Sequence, residues 1–169
     1  MKLTELFLAE LEREHAPTRR ALERVPDGRY DWKPHEKSMS MGNLSVLVAS
    51  IAGWMEMMIN LDQLDIAPKD GPKYKPAELR TSAELVRACD EAFDKARKAL
   101  KATTDQHLMT HWKMLAGGKV VSEQPRHVAI RDGVLMHLAH HRGQLTVYLR
   151  LTGAMVPSVY GPTADDRGF

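Results

Sequence analysis

From Leu3 to Val25 the positions Leu3, Phe7, Leu11, Thr18, Leu22 and Val25 recur at steps of three, four or seven residues, while Glu10, Glu12, Arg13, Arg19 and Arg20 take the other faces. Such steps keep side chains on one side of a 3.6-residue helix, so the stretch predicts an amphipathic helix. Pro26-Asp27-Gly28 ends it, and Pro34 marks the run that follows, to Ser40, as an irregular connection. Ser40 then suits the N-cap of a second helix with the stripe Leu44, Leu47, Ile51, Trp54 and Met58, ending near Asp62. Residues 66–76 hold three prolines, a glycine and three lysines and predict a surface loop. Thr81 and Glu84 have capping-box spacing, and Leu85, Cys89, Ala92, Ala96 and Leu100 give a third helix to about Lys101.

A change of period follows. His111 to Leu115, a Gly117-Gly118 turn, and Lys119 to Ser122 predict a small β-hairpin. Pro125 suits the first turn of the last helix, which runs to Thr152, with Gly153 as its C′ residue and Pro157 beyond. At 100° per residue His127, Ile130, Val134, His137, His141, Leu145 and Tyr148 share one arc, and Leu135, Leu138 and Leu149 another. A helix apolar on two sides belongs at the centre of a fold or against a second chain, so a homodimer is expected. The alternative is a monomer in which the tail from Ala154 to Phe169, with Met155, Val156, Val159 and Tyr160, folds back over the second arc. The pattern predicts an all-α four-helix bundle with long crossover connections and a small β-hairpin before the last helix, one domain over residues 1–169.

Composition narrows the classes. A chain of 169 residues, 43% hydrophobic and 27% charged, buries a core without disulfides or a structural metal. The net charge of +2 comes from interspersed residues with no basic block, so no nucleic-acid partner is indicated. No continuous apolar run of membrane-spanning length is apparent, and Glu5 and Glu10 interrupt the start of the chain where a signal peptide would be apolar. The expected location is cytoplasmic, with no membrane partner.

His137 and His141, four residues apart on a helix, place two imidazoles on one face within reach of a shared divalent ion. His140 points about 100° away and reads as a polar packing residue. His107 and His111 repeat the spacing, but residues four apart on an approach to a strand stand about 13 Å apart, too far for one metal. His15, near the stripe of the first helix, reads as a satisfied core histidine or as a ligand. Ser45 and Ser50 show no nucleophile-elbow context, Cys89 lies on an apolar stripe, and the ten methionines read as core filler.

The run from Leu135 to Asp166, LMHLAHHRGQLTVYLRLTGAMVPSVYGPTADD, together with WKPHEKSMSMGNL from Trp32 and IAGW from Ile51, resembles the DinB family of damage-inducible DinB/YfiT-like proteins over essentially the whole chain. The resemblance implies a four-helix bundle carrying a divalent metal, zinc or nickel, on three histidines, one from the second helix and a pair from the last. His137 and His141 match the pair, whereas the helix-two position is Leu47, which cannot coordinate a cation. A site short of one ligand binds metal weakly or not at all unless His15 or another group replaces it. Related branches include metal- and thiol-cofactor-dependent transferases and a maleylpyruvate isomerase, and many members have no established activity. The expected alternatives are therefore a weakened metal-dependent enzyme of thiol-transferase or hydrolase type, tied by the family name to stress response, and a non-catalytic bundle that binds a small molecule, a thiol cofactor or a partner chain.

Overall fold

A computed structural model describes residues 1–70 and 77–167. Helix α1 (Leu3–Glu23) packs along α4 (Ser82–Ala102). Asp105, 101 residues downstream, caps the start of α1 by accepting from the Leu3 and Thr4 backbone N–H groups at 2.9 and 3.0 Å. Those donors, at the positive end of a helix, hold its carboxyl below the usual aspartate range. Thr81 and Glu84 form the predicted capping box of α4, which spaces Leu85, Cys89, Ala92, Ala96 and Leu100 along its buried side.

The second helical segment is α2 (Met41–Ser50), a 3₁₀ turn at Ile51–Gly53, and α3 (Trp54–Asn60). Ser40 caps it as predicted by accepting from the Asn43 N–H. The connection before it is anchored by Gly42, whose N–H donates to the Tyr30 carbonyl at 2.8 Å; a Cβ there would lie 3.0 Å from that oxygen. Met41–Asn60 is by length and composition capable of crossing a membrane, the one such helix among the described residues, yet 61% of its most apolar window is buried inside the fold. It is a core helix, packed on α4 and on the last helix.

Strands β2 (His111–Ala116) and β3 (Lys119–Pro125) pair antiparallel across a turn in which Gly117 and Gly118 adopt φ of +61° and +79°. Two left-handed residues match the right-handed twist of the strands, and glycine takes that conformation without strain. Two corrections apply in this region. A third strand, β1 (Gln63–Asp65), pairs parallel with β2 and carries no pattern of its own. The paired strands reach Pro125, so that proline closes β3 and caps the last helix instead of filling its first turn. The predicted loop is irregular over 66–70, and 71–76 lie outside the described residues. The short helix α5 (Asp105–Leu108) precedes β2.

The last helix is not uniform either. It runs as α6 (Arg126–Ile130), a π-helical stretch at Arg131–Met136, and α7 (His137–Leu151). The wider turn shifts the helical phase, and the buried side becomes Ile130, Val134, Leu138, Arg142, Leu145 and Leu149. Leu135, Leu138 and Leu149, expected to need cover from a second chain, are buried within this one. His137 and His141 sit half-buried on the flank of that side.

Candidate functional site

His137 opens α7 and His141 follows one turn later, so helix geometry alone brings the rings together, with centroids 4.5 Å apart and planes tilted by 54°. Their Nε2 atoms face each other at 2.8 Å. The far nitrogens are also engaged. His137 Nδ1 lies 3.4 Å from the Gly133 carbonyl oxygen in the π-helical stretch, and His141 Nδ1 lies 2.7 Å from Gln144 Oε1. Gln144 reaches on, its Nε2 standing 3.1 Å from Nε2 of His140. Trp54 of α3 closes the inner side, its ring 5.3 Å from that of His137. Gly133 faces Met58 of α3, and a Cβ there would stand 2.8 Å from Met58 Cε, the movable tip of that side chain. Burial lowers the pKa of His137 most, the neighbouring charges of His141 and His140 add to this, and the Gly133 contact opposes it.

Two nitrogens sharing one metal at about 2.0–2.1 Å in a tetrahedral site would stand roughly 3.3 Å apart, and such a site takes at least three protein ligands. The observed 2.8 Å is instead a hydrogen-bond distance. Among the described residues no group of three or more His, Cys, Asp or Glu side chains converges to hold a metal. The donor set therefore does not fit a tightly held resident metal, although it fits a shared proton.

The remaining candidates are dispersed. His15 Nε2 lies 2.8 Å from Asp90 Oδ1 and its ring stacks on Phe93 at 4.5 Å, which makes it a satisfied histidine between α1 and α4. His107 contacts the Ile59 carbonyl from α5, and His111 opens β2 opposite Pro125, so that pair does not share a helical face. Ser50 donates to the Leu47 carbonyl, and Ser45 is buried with an unpartnered hydroxyl. Cys89 is buried and its thiol is pushed up to about 12, chiefly by desolvation. Leu47 is half-buried against the core. Two concavities of about 440 and 430 Å³ lie elsewhere, one beside Arg19, Arg87 and Asp90, the other beside Asp65, Lys69 and Gly118.

Sequence reasoning missed a second polar group, on the buried side of α7. Arg142, 1% exposed, donates to Glu14 Oε2 at 2.5 Å, Thr18 Oγ1 at 2.8 Å and the Tyr160 hydroxyl at 2.6 Å, and to the Glu14 carbonyl at 3.3 Å. The Tyr160 hydroxyl in turn donates to Glu14 Oε2 at 2.9 Å. No periodicity reveals such a group, because its members stand as far as 146 residues apart. Gln144, three residues after His141, was within reach of a spacing argument.

Comparison with known proteins agrees with the geometry of the helices. The DinB family model matches residues 1–167. A DinB-like protein from Bacillus cereus ATCC 10987 superposes with a TM-score of 0.72 at 20% identity, covering 92% of this chain and 97% of that one. A second, the DinB-like YjoA of Bacillus subtilis, gives 0.67 at 17% identity over 96% and 99%. The uncharacterized protein YrdA of Bacillus subtilis strain 168 is 46% identical over 33 residues, a match spanning 20% of this chain and only 20% of that protein.

Proposed function

This chain belongs to the DinB family, and on that footing we propose that it is a member whose metal centre has been reduced to the pair His137 and His141, with Leu47 standing where the family resemblance puts a third histidine. Affinity for zinc or nickel is weakened or lost, and activity of the metal-dependent thiol-transferase or hydrolase type is weakened with it. The observation that carries this reading is the contact between the two Nε2 atoms at 2.8 Å, a spacing suited to a proton between neutral imidazoles. The shortage of donors has a thermodynamic consequence, because each lost ligand removes part of the binding free energy that holds an ion against water. Calorimetric titration of untagged protein with zinc and with nickel tests it. Weak, incompletely saturating binding is expected, and tight binding of one ion per chain overturns it.

A second reading, a bundle that binds a partner chain without catalysis, is favoured by one observation. Met136, Val147 and Leu151 are 48%, 56% and 58% exposed and follow one another along the outer face of the last helix. The homodimer rests on this outer stripe now that Leu135, Leu138 and Leu149 are covered by their own chain. Light scattering at micromolar concentration is expected to give twice the 19.0 kDa of one chain, and a monomer mass removes the proposal. Binding of a small molecule or thiol cofactor without catalysis belongs to this second class, and calorimetry with such ligands on metal-free protein is its test.

A further inference from the structure

With every imidazole of the pair neutral, the hydrogen-bond inventory around it leaves two arrangements of protons to compare. A neutral imidazole carries one N–H and one lone pair, and a glutamine amide carries donors on one end and an acceptor on the other. With Gln144 Oε1 toward His141, the ring must donate from Nδ1, which leaves a bare lone pair on Nε2. His137 donates from Nδ1 to the Gly133 carbonyl and is bare at Nε2 as well. Two lone pairs then face each other at 2.8 Å, an arrangement that repels unless a cation lies between them.

Turning the Gln144 amide by half a rotation removes the conflict. His140 Nε2–H donates to Gln144 Oε1, the Gln144 amide donates to His141 Nδ1, and His141 Nε2–H donates to His137 Nε2. His137 still donates to Gly133. Every N–H along this chain has an acceptor, and no net proton is gained or lost; on His140 and on His141 it moves from Nδ1 to Nε2 through solvent. The half-buried setting of His137, His141 and Gln144 makes an unmade bond costly, so the closed chain is the stable form without a cation.

We propose that Gln144 is a positioning residue that sets which nitrogen of His141 bears the proton, and thereby whether the pair is closed upon itself or open to a divalent cation. The proposal rests on the reading of the pair as a reduced metal centre, and it adds that the protein's own hydrogen bonds compete with the ion for the lone pair of His137. Weak metal affinity then has two sources: a missing third donor, and the cost of opening the chain. A glutamine suits this role because the half-turn exchanges donor for acceptor at constant shape.

The test reads the tautomer directly. Long-range proton–nitrogen correlation spectra of ¹⁵N-histidine-labelled, metal-free protein at pH 8.5 are compared for the natural chain, Gln144→Met and Gln144→Glu. The natural chain is expected to carry the His141 proton on Nε2. Gln144→Glu, an acceptor only, moves it to Nδ1, and Gln144→Met, with neither group, gives a mixture. A natural His141 protonated on Nδ1, or one tautomer common to all three proteins, overturns the proposal. Tight zinc binding by the natural chain would instead overturn the reduced-centre reading, and it leaves the metal-free spectra to decide the role of Gln144.

Discussion

His141 and Arg142 are neighbours in sequence, and α7 turns them about 100° apart, into two polar sites of opposite character. On the Arg142 side the group is closed. Four acceptors surround the guanidinium, Glu14 is buried with it, and Tyr160 from the C-terminal tail covers the pair. On the His141 side the rings are half-buried, and the two Nε2 atoms meet at 2.8 Å with neutral partners only. Leaving a buried charge without its counter-charge is strongly destabilising, whereas a half-buried imidazole can wait for a proton, an ion or a ligand. One helix thus carries a buried, charge-paired polar group and a half-buried, neutral one.

The sharpest way to break this contrast is to open the closed side. Arg142→Met leaves the Glu14 carboxylate buried without its cation, and such a loss costs about 3–5 kcal/mol. Urea unfolding should show it as a large fall in midpoint. The double variant Glu14→Leu with Arg142→Met removes both charges and should recover most of the loss, because the penalty lies in the orphaned charge and not in the missing attraction. A fall of less than 1 kcal/mol for Arg142→Met would mean that the guanidinium does not hold the core together.

Next in size is completion of the open side. Leu47→His restores the donor implied by the family resemblance and should raise zinc or nickel affinity at least about tenfold. In the metal-free protein it costs about 1–3 kcal/mol, since a polar ring replaces an apolar side chain packed against the core. Calorimetry for the affinity and urea unfolding for the cost check the two halves separately, and unchanged affinity would show that position 47 does not face the pair.

Tyr160→Phe is milder. The ring is 64% exposed, so the change deletes only the hydroxyl bonds to Arg142 and Glu14, worth about 1 kcal/mol. The loss should appear in urea unfolding without any change in metal binding, because the hydroxyl bonds Arg142 and Glu14 and not the histidine pair.

How much of this was readable beforehand differs between the two sides for a physical reason. Helices α1 and α4, the Ser40 cap and the Gly117-Gly118 turn are set by neighbours in sequence, and each is where periodicity and turn chemistry put it. The pair His137 and His141 was readable because both members lie on one turn of one helix. The π-helical stretch before it was not. A slipped hydrogen bond leaves no mark in composition, and the one clue, Gly133, acquires meaning only from Met58 on another element. Strand β1 depends on a partner about 50 residues downstream, and Arg142 on Glu14, 128 residues upstream. Contacts of that kind exist only once the chain has folded.

The smallest effect concerns pH and separates the two sides without altering the helix. Burial lowers the folded-state pKa of His137, so as pH falls the unfolded chain takes up that proton first. The stability this group contributes is fully present above its unfolded value of about 6.5 and is lost progressively as pH falls below it. Asp65, Asp105 and Glu84 are lowered as well, chiefly by backbone N–H donors, but what they contribute is lost only as pH falls below about 4. Between pH 7.5 and pH 5.5 the histidine is therefore the group to watch. The urea midpoint should decline over that interval in the natural chain and in Tyr160→Phe alike, and His137→Gln should flatten the decline. An equal slope in all three would mean that His137 titrates as freely in the folded protein as in the unfolded one, which its burial between Trp54, His141 and the π-helical carbonyl of Gly133 argues against.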